Sequence, residues 1–264
     1  MPIIQGQEWT FDTRWDAYDK IRPGYPEELY REIFHYVNLH EGSRAAEVGI
    51  GAGQATEPIL KTGASVLAFE PGRNFTKLCL QKFSAYPFDV VNMKFDDAPY
   101  REKAFDLVYS AAAFHWVNQD TGYQKVFRML KKGGAFARFA NHPYRDEGNM
   151  PLWQAVQAAY DEFYYPFYGK KSETPEKYTE ENAKTRAELA LKYGFTDIKY
   201  ALFERTRTFS AEEYILLIST YSDHIAIDEE IRKRFFDRIE EAINAHGGCI
   251  TLCDTLDLAL ARKA

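Results

Sequence analysis

The stretch Ala45-Ala-Glu-Val-Gly-Ile-Gly-Ala-Gly-Gln54 decides the fold. Its short, mostly apolar start, Arg44–Val48, predicts a buried strand, and the glycines at 49, 51 and 53 predict a sharp turn into a helix over Gln54–Lys61. Glycine lets the backbone turn tightly and approach a ligand closely, and the first turn of the helix offers unpaired N–H groups. By itself this turn indicates a nucleotide-like ligand without saying which one.

Strands and helices alternate through the first half of the chain. Further strands are predicted at Ser65–Phe69, Asp89–Met93, Phe105–Ser110 and Ala135–Ala140. Helices are predicted at Glu27–Val37, Asn74–Ser84 and Thr121–Leu130. This alternation favours a parallel sheet with right-handed crossovers, in which ligands bind beyond the carboxyl ends of the strands. The glycines and most of the candidate acids fall at those ends.

The second half follows a different pattern. Helices are predicted at Trp153–Tyr168, Thr185–Tyr193, Ala211–Tyr221 and Glu229–Ala245, and strands at Ile198–Phe203 and Ile250–Ala261. The late strands are expected to complete the sheet. We therefore divide the chain into a helical lead-in with the cofactor-binding half of the sheet (1–140), an aromatic-rich helical cap insertion (141–184) and the completion of the sheet (185–264).

Composition and charge exclude several classes of protein. The 264 residues carry a formal net charge of -6, whereas proteins that bind duplex nucleic acid are usually basic. The sequence has no run approaching the ~20 apolar residues that cross a bilayer, and its start lacks the pattern of a signal peptide. We expect no nucleic-acid partner, no membrane association and a cytoplasmic location.

The cysteines and histidines predict neither a disulfide framework nor a metal site. Cys79, Cys249 and Cys253 are the only cysteines, which fits a reducing cytoplasm. Cys249 and Cys253 are four residues apart but have no second pair of ligands, so we expect them in or beside a strand. The six histidines lack the spacing of metal ligands.

An acid stands at the end of the second predicted strand. Glu70 closes the run Val66-Leu-Ala-Phe-Glu-Pro71. A carboxylate at this point is placed to accept hydrogen bonds from ribose hydroxyls. Because dinucleotide dehydrogenases use the same position, Glu70 indicates a nucleoside and leaves its identity open.

Taken together, the motifs resemble class I S-adenosylmethionine-dependent methyltransferases. Glu47–Gly53 resembles their motif I. Four other stretches resemble motifs of the same family: Phe69–Pro71, Phe95–Pro99, Ala104–Trp116 and Leu130–Phe136. The resemblance runs from Trp15 to about Ala140 and, more weakly, from Gly194 to Ala261. The Phe-His-Trp element at 114–116 and the lead-in from Tyr18 to Pro26 resemble the small-molecule branch, which includes ubiquinone-biosynthesis and trans-aconitate methyltransferases.

The resemblance implies a fold and a cofactor. The fold would be doubly wound α/β, with a mostly parallel, seven-stranded, Rossmann-like sheet, an antiparallel last strand and a helical cap. The cofactor would be S-adenosyl-L-methionine, held by Glu47, Gly49, Gly51, Gly53, Glu70, Pro71, Asp96, Asp97, Ala98, Ser110 and Ala111. Within this set Glu70 would bind the ribose diol. Asp97 is the better adenine contact because it directly precedes Ala98, as in the family's Asp-Ala pair, while Asp96 stands where the family often has glycine.

The expected chemistry needs few catalytic groups. The methyl group on sulfur is already activated, so the chain mainly has to align a nucleophile with it. His115 lies at the substrate side of the fourth strand, where it is either a catalytic base or substrate hydrogen-bond donor, or only shapes the pocket. Arg22 would meet the methionine carboxylate or an acidic substrate. The predicted substrate-binding residues are Tyr18, Arg22, Tyr25, His115, Trp116 and Trp153.

Three alternatives stay open at this point. An NAD(P)-dependent oxidoreductase would space its glycines as G-x-G-x-x-G, whereas this chain has G-x-G-x-G preceded by Glu47. A non-catalytic S-adenosylmethionine-binding protein would keep the same motifs. A methyltransferase acting on nucleic-acid amino groups would carry Asn/Asp-Pro-Pro-aromatic after the fourth strand, where Ser110–Ala113 stands instead. The acceptor, its nucleophilic atom (oxygen, nitrogen or carbon) and the oligomeric state are not specified by the sequence.

Overall fold

The structure is a computed structural model that describes residues 10–145, 147–173 and 175–264. Among these residues seven strands form one sheet. They are β1 (Arg44–Val48), β2 (Ser65–Phe69), β3 (Phe88–Val91), β4 (Phe105–Ala111), β5 (Leu130–Arg145), β6 (Phe195–Ser210) and β7 (Cys249–Lys263). Their order across the sheet is β3-β2-β1-β4-β5-β7-β6.

The direction of the strands follows from their pairing. β1 runs parallel to β2 and β4, β2 runs parallel to β3, and β4 runs parallel to β5. Between β6 and β7, hydrogen bonds join Thr208 to Thr251 and Thr196 to Arg262, so residue numbers rise along one strand as they fall along the other. The last strand is therefore antiparallel, and the predicted fold class is confirmed.

The α-helices of the described residues precede β1 or lie between successive strands in the chain. They are α1 (Trp15–Ile21), α2 (Glu27–Tyr36), α3 (Thr56–Leu60), α4 (Arg73–Lys82), α5 (Gln119–Met129), α6 (Met150–Ala159), α7 (Tyr165–Tyr168), α8 (Glu180–Glu188), α9 (Ala211–Ile218), α10 (Ser222–Ile225) and α11 (Glu229–Ala245). Short 3₁₀ turns occupy Thr10–Arg14, Phe114–Trp116, Glu147–Asn149 and Leu189–Tyr193, and a π-helical turn occupies Tyr160–Tyr164.

Polar side chains fix the starts of several helices. The Asn118 side chain accepts a hydrogen bond from the backbone N–H of Thr121 and starts α5. Asp228 does the same for the first turn of α11. Such caps satisfy N–H groups that have no partner inside the helix. The cap at Asn118 sets the start of α5 at Gln119, shortly after the turn at Phe114–Trp116 that follows β4.

The bounds predicted from the sequence hold best in the first half. β1 and β2 begin and end as predicted. β5 and β6 extend beyond the predicted Ala135–Ala140 and Ile198–Phe203, because they continue through half-exposed polar positions that hydrophobicity does not mark. The helical segment predicted over Trp153–Tyr168 is confirmed; it begins earlier, at Met150, and a π-helical turn lies between α6 and α7.

The helix predicted over Thr185–Tyr193 also has different bounds. α8 begins at Glu180, because Thr179 and Asn182 form a capping box at its start. The regular helix ends at Glu188, and a 3₁₀ turn continues to Tyr193. Gly194 then stops the segment with a left-handed φ of 88°.

The chain divides into two compact units. Unit 1 contains the described parts of 1–22, 142–177 and 204–255, and its core is built mainly from α6, α9 and α11. Unit 2 contains 23–141, 178–203 and 256–264, and two apolar cores pack within it. The two units are defined by which residues contact one another. The predicted functional division, with a cap at 141–184, stays a prediction.

Two further findings bear on location and cysteine chemistry. Among the described helices, none combines the length and the apolar character that crossing a membrane requires. The predicted cytoplasmic location stays a prediction. Cys249 and Cys253 both lie on β7, as expected, and Cys79 is buried in α4.

Candidate functional site

The glycine turn after β1 has a backbone that other residues would strain. Gly49, Gly51 and Gly53 have φ values of 71°, 54° and 80°. A Cβ atom on Gly49 would lie 2.4 Å from the Cβ of Ala113, and one on Gly53 would lie 2.6 Å from the ring of Phe83. Both the left-handed φ and the close neighbours therefore require glycine here. The consequence is a backbone that a ligand can approach without meeting side chains of the turn itself.

The turn is also held by contacts from α4. The Cys79 thiol donates to the carbonyl of Gly51 over 3.2 Å, and Lys82 Nζ donates to the carbonyl of Ala52 over 3.0 Å. These bonds use carbonyl oxygens of the turn. Neither residue was predicted as part of the site, because the contacts join positions nearly 30 residues apart.

Glu47 lies beneath the turn and is fully buried. Its Oε2 accepts hydrogen bonds from Thr56 Oγ1 and the Tyr109 hydroxyl, each over 2.7 Å. Its Oε1 is shielded from solvent and has no hydrogen-bond partner among the described residues. Burial raises the pKa of Glu47 to about 8, because the charged form loses its hydration. Burial, together with the nearby Glu47 carboxyl, raises the pKa of Tyr109 well above its ordinary value.

Glu70 joins the loops that follow β1 and β2. One carboxylate oxygen accepts from the backbone N–H of Gly51 over 2.9 Å, and the other from Gly72 over 2.8 Å. The structure places Glu70 directly after β2, as predicted, and adds its contact with the glycine turn.

Asn92, just after β3, is a positioning residue that the sequence reasoning missed. Its side-chain amide donates to the carbonyls of Glu70 and Pro71 over 2.9 and 3.0 Å, and to Thr76 Oγ1 over 3.1 Å. It therefore ties the end of β3 to the end of β2. The available signal was a polar residue directly after a predicted strand.

The acidic loop after β3 is held by a buried lysine. Lys125 Nζ donates to the carbonyl of Ala98 over 2.6 Å, and also to the carbonyls of Phe95 and Asp96. It lies 4.6 Å from the centre of the Phe95 ring, and burial lowers its pKa. Beside this loop is a cavity of about 500 Å³ lined by Asp96, Ala98, Pro99, Tyr100, Thr121, Gln124, Lys125 and Arg128.

Both acids of this loop are exposed, but only one of them lines the cavity. Asp96 is a lining residue and Asp97 is not, although the sequence favoured Asp97 as the adenine contact. That Asp97 rather than Asp96 contacts the adenine stays a prediction.

The end of β4 brings the chain over the glycine turn. Ser110 is fully buried, and its hydroxyl donates to the carbonyl of Val48 over 2.9 Å. Two residues later Ala112 has a φ of 52°, a conformation that costs an alanine about 1–2 kcal/mol. This backbone strain is stored directly beside Ala113, the neighbour of Gly49, and strain of this kind clusters at functional sites.

His115 follows on the 3₁₀ turn, with its ring 5.1 Å from that of Trp116. Although the residue is exposed, partial burial of its ring and the positive charges of Arg138 and Arg186 lower its pKa to about 4. The ring is therefore neutral near pH 7. One of its nitrogens can then accept a hydrogen bond, but such a ring is a weak base.

Two arginines near His115 were not predicted. Arg138 lies on β5 in register with Ser110 of β4. Arg186 lies on α8 and forms an ion pair with Asp257, with Nη1 at 2.7 and 2.8 Å from the two carboxylate oxygens. The signal for Arg138 was present in the sequence, since it interrupts the otherwise apolar predicted strand Ala135–Ala140.

The remaining predicted substrate residues fall in both units. In unit 2, the Tyr25 ring packs edge-on against Phe139 with 4.7 Å between centroids. In unit 1, the Arg22 guanidinium lies 5.0 Å from the centre of the Tyr18 ring. Trp153, also in unit 1, is buried in that unit's core. Their contact with a substrate stays a prediction.

Arg22 is already engaged within unit 1. Its Nε donates to Thr220 Oγ1 over 2.9 Å, and its Nη2 donates to the Thr220 carbonyl over 3.1 Å. The guanidinium also lies over the ring of Tyr221, 4.5 Å from its centre. These contacts fix the side chain in one orientation.

The described residues offer no cluster of three or more histidine, cysteine, aspartate or glutamate side chains that could hold a metal ion.

Comparison with known proteins adds independent information. The family described as "Methyltransferase domain" matches residues 46–137. A Geobacillus protein named as an uncharacterized methyltransferase is 31% identical over 166 residues, which cover 59% of this chain and 71% of that protein. A Saccharomyces cerevisiae protein named as a probable S-adenosylmethionine-dependent methyltransferase is 27% identical over 205 residues, which cover 71% of this chain and 62% of that protein.

A solved structure supports the fold. A type II methyltransferase candidate from Anaeromyxobacter dehalogenans has a TM-score of 0.63 and 19% identity, and the match covers 91% of this chain and 97% of that one. At this identity the likeness concerns the fold alone. The match of the methyltransferase family spans the glycine turn, Glu70, the acidic loop and the end of β4, and a nicotinamide-dependent oxidoreductase is not favoured.

Proposed function

Because the chain belongs to the class I S-adenosylmethionine-dependent methyltransferases, we propose that its methyl acceptor is a small molecule bound beside the end of β4. The observation that carries this proposal is the joined pair of loops at Glu70 and the glycine turn, with the strained end of β4 above them. The net charge of -6 and the absence of the nucleic-acid enzymes' motif after β4 favour a small acceptor.

The residues at the carboxyl ends of β1, β2 and β4 fit the cofactor. The glycines leave the backbone of the turn open, and Glu70 stands at the end of β2, where a carboxylate is placed to accept hydrogen bonds from a ribose diol. The buried, unpartnered Oε1 of Glu47 is suited to a donor such as the ammonium group of a methionine moiety, whose positive charge would favour the ionised form of the carboxyl. Bound S-adenosylmethionine supplies a methyl group on a positively charged sulfur, already activated for transfer.

We assign the other predicted residues by position. Asp96, Asp97 and Ala98 form the loop for the adenine, with Lys125 holding that loop from below. Pro71 follows Glu70 at the ribose, and Ser110 and Ala111 close the methionine side. Gly49, Gly51 and Gly53 provide the backbone of the turn.

The chain then has two tasks toward the acceptor. It must hold the nucleophile in line with the methyl group, and it must keep water from competing. His115, neutral near pH 7, accepts a hydrogen bond from the acceptor and orients it, with Trp116 beside it. Replacing His115 by Ala should lower turnover about 10²-fold or more if this bond aligns the nucleophile. Unchanged turnover on the true acceptor would exclude the role.

The proposed function is tested by a methyl-transfer screen. Small carboxylic acids, phenols and amines are incubated with the chain and labelled S-adenosylmethionine, and S-adenosylhomocysteine release is measured. We expect one of these classes to become methylated. Transfer of the label only to nucleic acid or protein in a parallel incubation would contradict the small-molecule assignment.

A further inference from the structure

Arg138 occupies an unusual position within unit 2. Its Nη1 donates to the Tyr123 hydroxyl over 3.1 Å, and its guanidinium lies 5.1 Å from the centre of the Phe114 ring. Its Nε is shielded from solvent and has no hydrogen-bond partner among the described residues. Buried donors without a partner are rare, because they lose the hydrogen bonds that they make to water. The unpartnered Nε therefore needs an explanation.

The charges around Arg138 do not balance. The neighbouring Arg186 is paired with Asp257, whose carboxylate also accepts from the backbone N–H of Ala140 over 3.1 Å. None of the described carboxylates forms an ion pair with Arg138. Among the described residues, the Asp257 carboxylate thus forms an ion pair with Arg186 and not with Arg138, which leaves the positive charge of Arg138 without a counter-ion in surroundings that are largely shielded from water. Burial and the charge of Arg186 lower the pKa of Arg138, which is a sign of the same imbalance.

The position of this surplus charge relates it to the proposed acceptor site. Arg138 pairs in register with Ser110, one residue before the end of β4. Phe114, whose ring contacts the Arg138 guanidinium, directly precedes His115 on the same 3₁₀ turn. The surplus charge and the predicted acceptor residue therefore lie in the same part of unit 2.

We infer that Arg138 binds a carboxylate group of the methyl acceptor. Its Nη1 is used by Tyr123, whereas no described residue pairs with Nε or Nη2, and this unpaired edge of the guanidinium matches the two oxygens of a carboxylate. One surplus positive charge balances a carboxylate, whereas a phosphate monoester would bring an excess of negative charge. The inference rests on the proposed function, since it places the anion on the small-molecule acceptor. The aromatic face of Phe114 holds the guanidinium plane in place.

The inference is tested by measuring how tightly small acids and their amides bind to the intact chain saturated with S-adenosylhomocysteine. Isothermal titration compares benzoate, succinate and glutarate with their own carboxamides, and benzoate with phenyl phosphate. We expect at least one acid to bind about ten- to a hundredfold more tightly than its amide, as expected for a hydrogen bond to a charged group. Amides that bind as tightly as the acids, or phenyl phosphate that binds more tightly than benzoate, would overturn the inference.

Variants separate the role of the guanidinium from a structural one. Arg138→Met should abolish acid binding, and Arg138→Lys, which keeps the charge but loses the planar edge, should weaken it about tenfold. Neither variant should change the affinity for S-adenosylhomocysteine. The control is Arg31→Met, which removes an exposed arginine of unit 2 that pairs only with Glu28 in the described structure. Unchanged acid affinity in either Arg138 variant would overturn the inference.

Two outcomes distinguish this inference from the proposed function. If the wild-type chain binds S-adenosylhomocysteine but none of the acids, the inference fails and the proposed function stands. If it does not bind S-adenosylhomocysteine, the proposed function itself fails. Should Arg138→Met not fold, as judged by its melting curve, Arg138→Lys carries the test.

Discussion

At position 49 the backbone conformation and a neighbouring side chain both exclude a Cβ atom. Replacing Gly49 by Ala should lower the free energy of unfolding by about 1–2 kcal/mol for the left-handed φ and by about 1–3 kcal/mol more for the clash with Ala113. Gly133→Ala is the matched control, because Gly133 has a similar φ of 78° but no described atom within 4 Å of the point where its Cβ would lie. Urea unfolding of both variants should show the larger loss for Gly49→Ala, and equal losses would contradict the close approach.

The buried carboxyl of Glu47 makes stability depend on pH. In the unfolded chain it titrates near 4.5, whereas in the folded chain its pKa is about 8. Between these values the folded state holds a proton that the unfolded state has released, so this contribution to stability is complete below about pH 4.5 and falls as the pH rises to 8. The total loss is about 5 kcal/mol at most, since each pKa unit corresponds to about 1.4 kcal/mol.

Glu47→Gln should remove this dependence. The neutral side chain keeps the shape of the carboxyl, so the variant should gain stability relative to the wild type as the pH rises from 5 to 8. Cofactor affinity should fall, because an amide cannot ionise to pair with a cationic ammonium group. Melting temperatures measured across that range check the prediction, with the exposed Glu57→Gln as control. A difference in melting temperature that stays constant with pH would show that Glu47 is already ionised in the folded chain.

Strand β7 carries a buried charge at a position where its alternating pattern predicts an apolar residue. Asp254 is fully buried in unit 1, with Arg205 Nε at 3.1 Å and Arg207 Nη2 at 2.9 Å. Asp254→Asn should lower the free energy of unfolding by about 3–5 kcal/mol, because two largely buried guanidinium groups lose their counter-ion. The control Asp237→Asn breaks the exposed pair with Lys233 and should cost under about 1 kcal/mol. Similar losses in both variants would show that the charge of Asp254 contributes little.

The same strand shows what sequence can and cannot predict. The alternation Ile250, Leu252, Leu256, Leu258 predicts a strand, and Asp254 stands in phase with these apolar residues. That placement was a signal of a buried carboxylate, but its partners lie almost 50 residues away on β6 and follow no local rule. β1 and β2 were predicted with their bounds, because short apolar runs bounded by glycine or proline leave little choice. Asn92 and Lys125 act through contacts between distant segments, which only the folded chain brings together.

For the whole molecule, the fold and the family were both predicted from motifs spread along the chain. The glycine turn, Glu70, the acidic loop and the end of β4 lie far apart in sequence, yet strand order alone brings the carboxyl ends of β1, β2 and β4 side by side. The acceptor could not be predicted in this way, because its recognition depends on charges such as Arg138 that belong to no motif. The anion-binding role of Arg138 is therefore inferred from the structure and tested by titration with acids and their amides.

We expect this chain to bind S-adenosylmethionine at the turn of Gly49, Gly51 and Gly53. Isothermal titration of the intact chain with S-adenosylhomocysteine and, separately, with NAD tests this expectation. We predict saturable binding of S-adenosylhomocysteine, weakened about tenfold or more in Glu70→Ala as a charged hydrogen-bond partner is lost, and no binding of NAD. Binding of NAD with none of S-adenosylhomocysteine would contradict it.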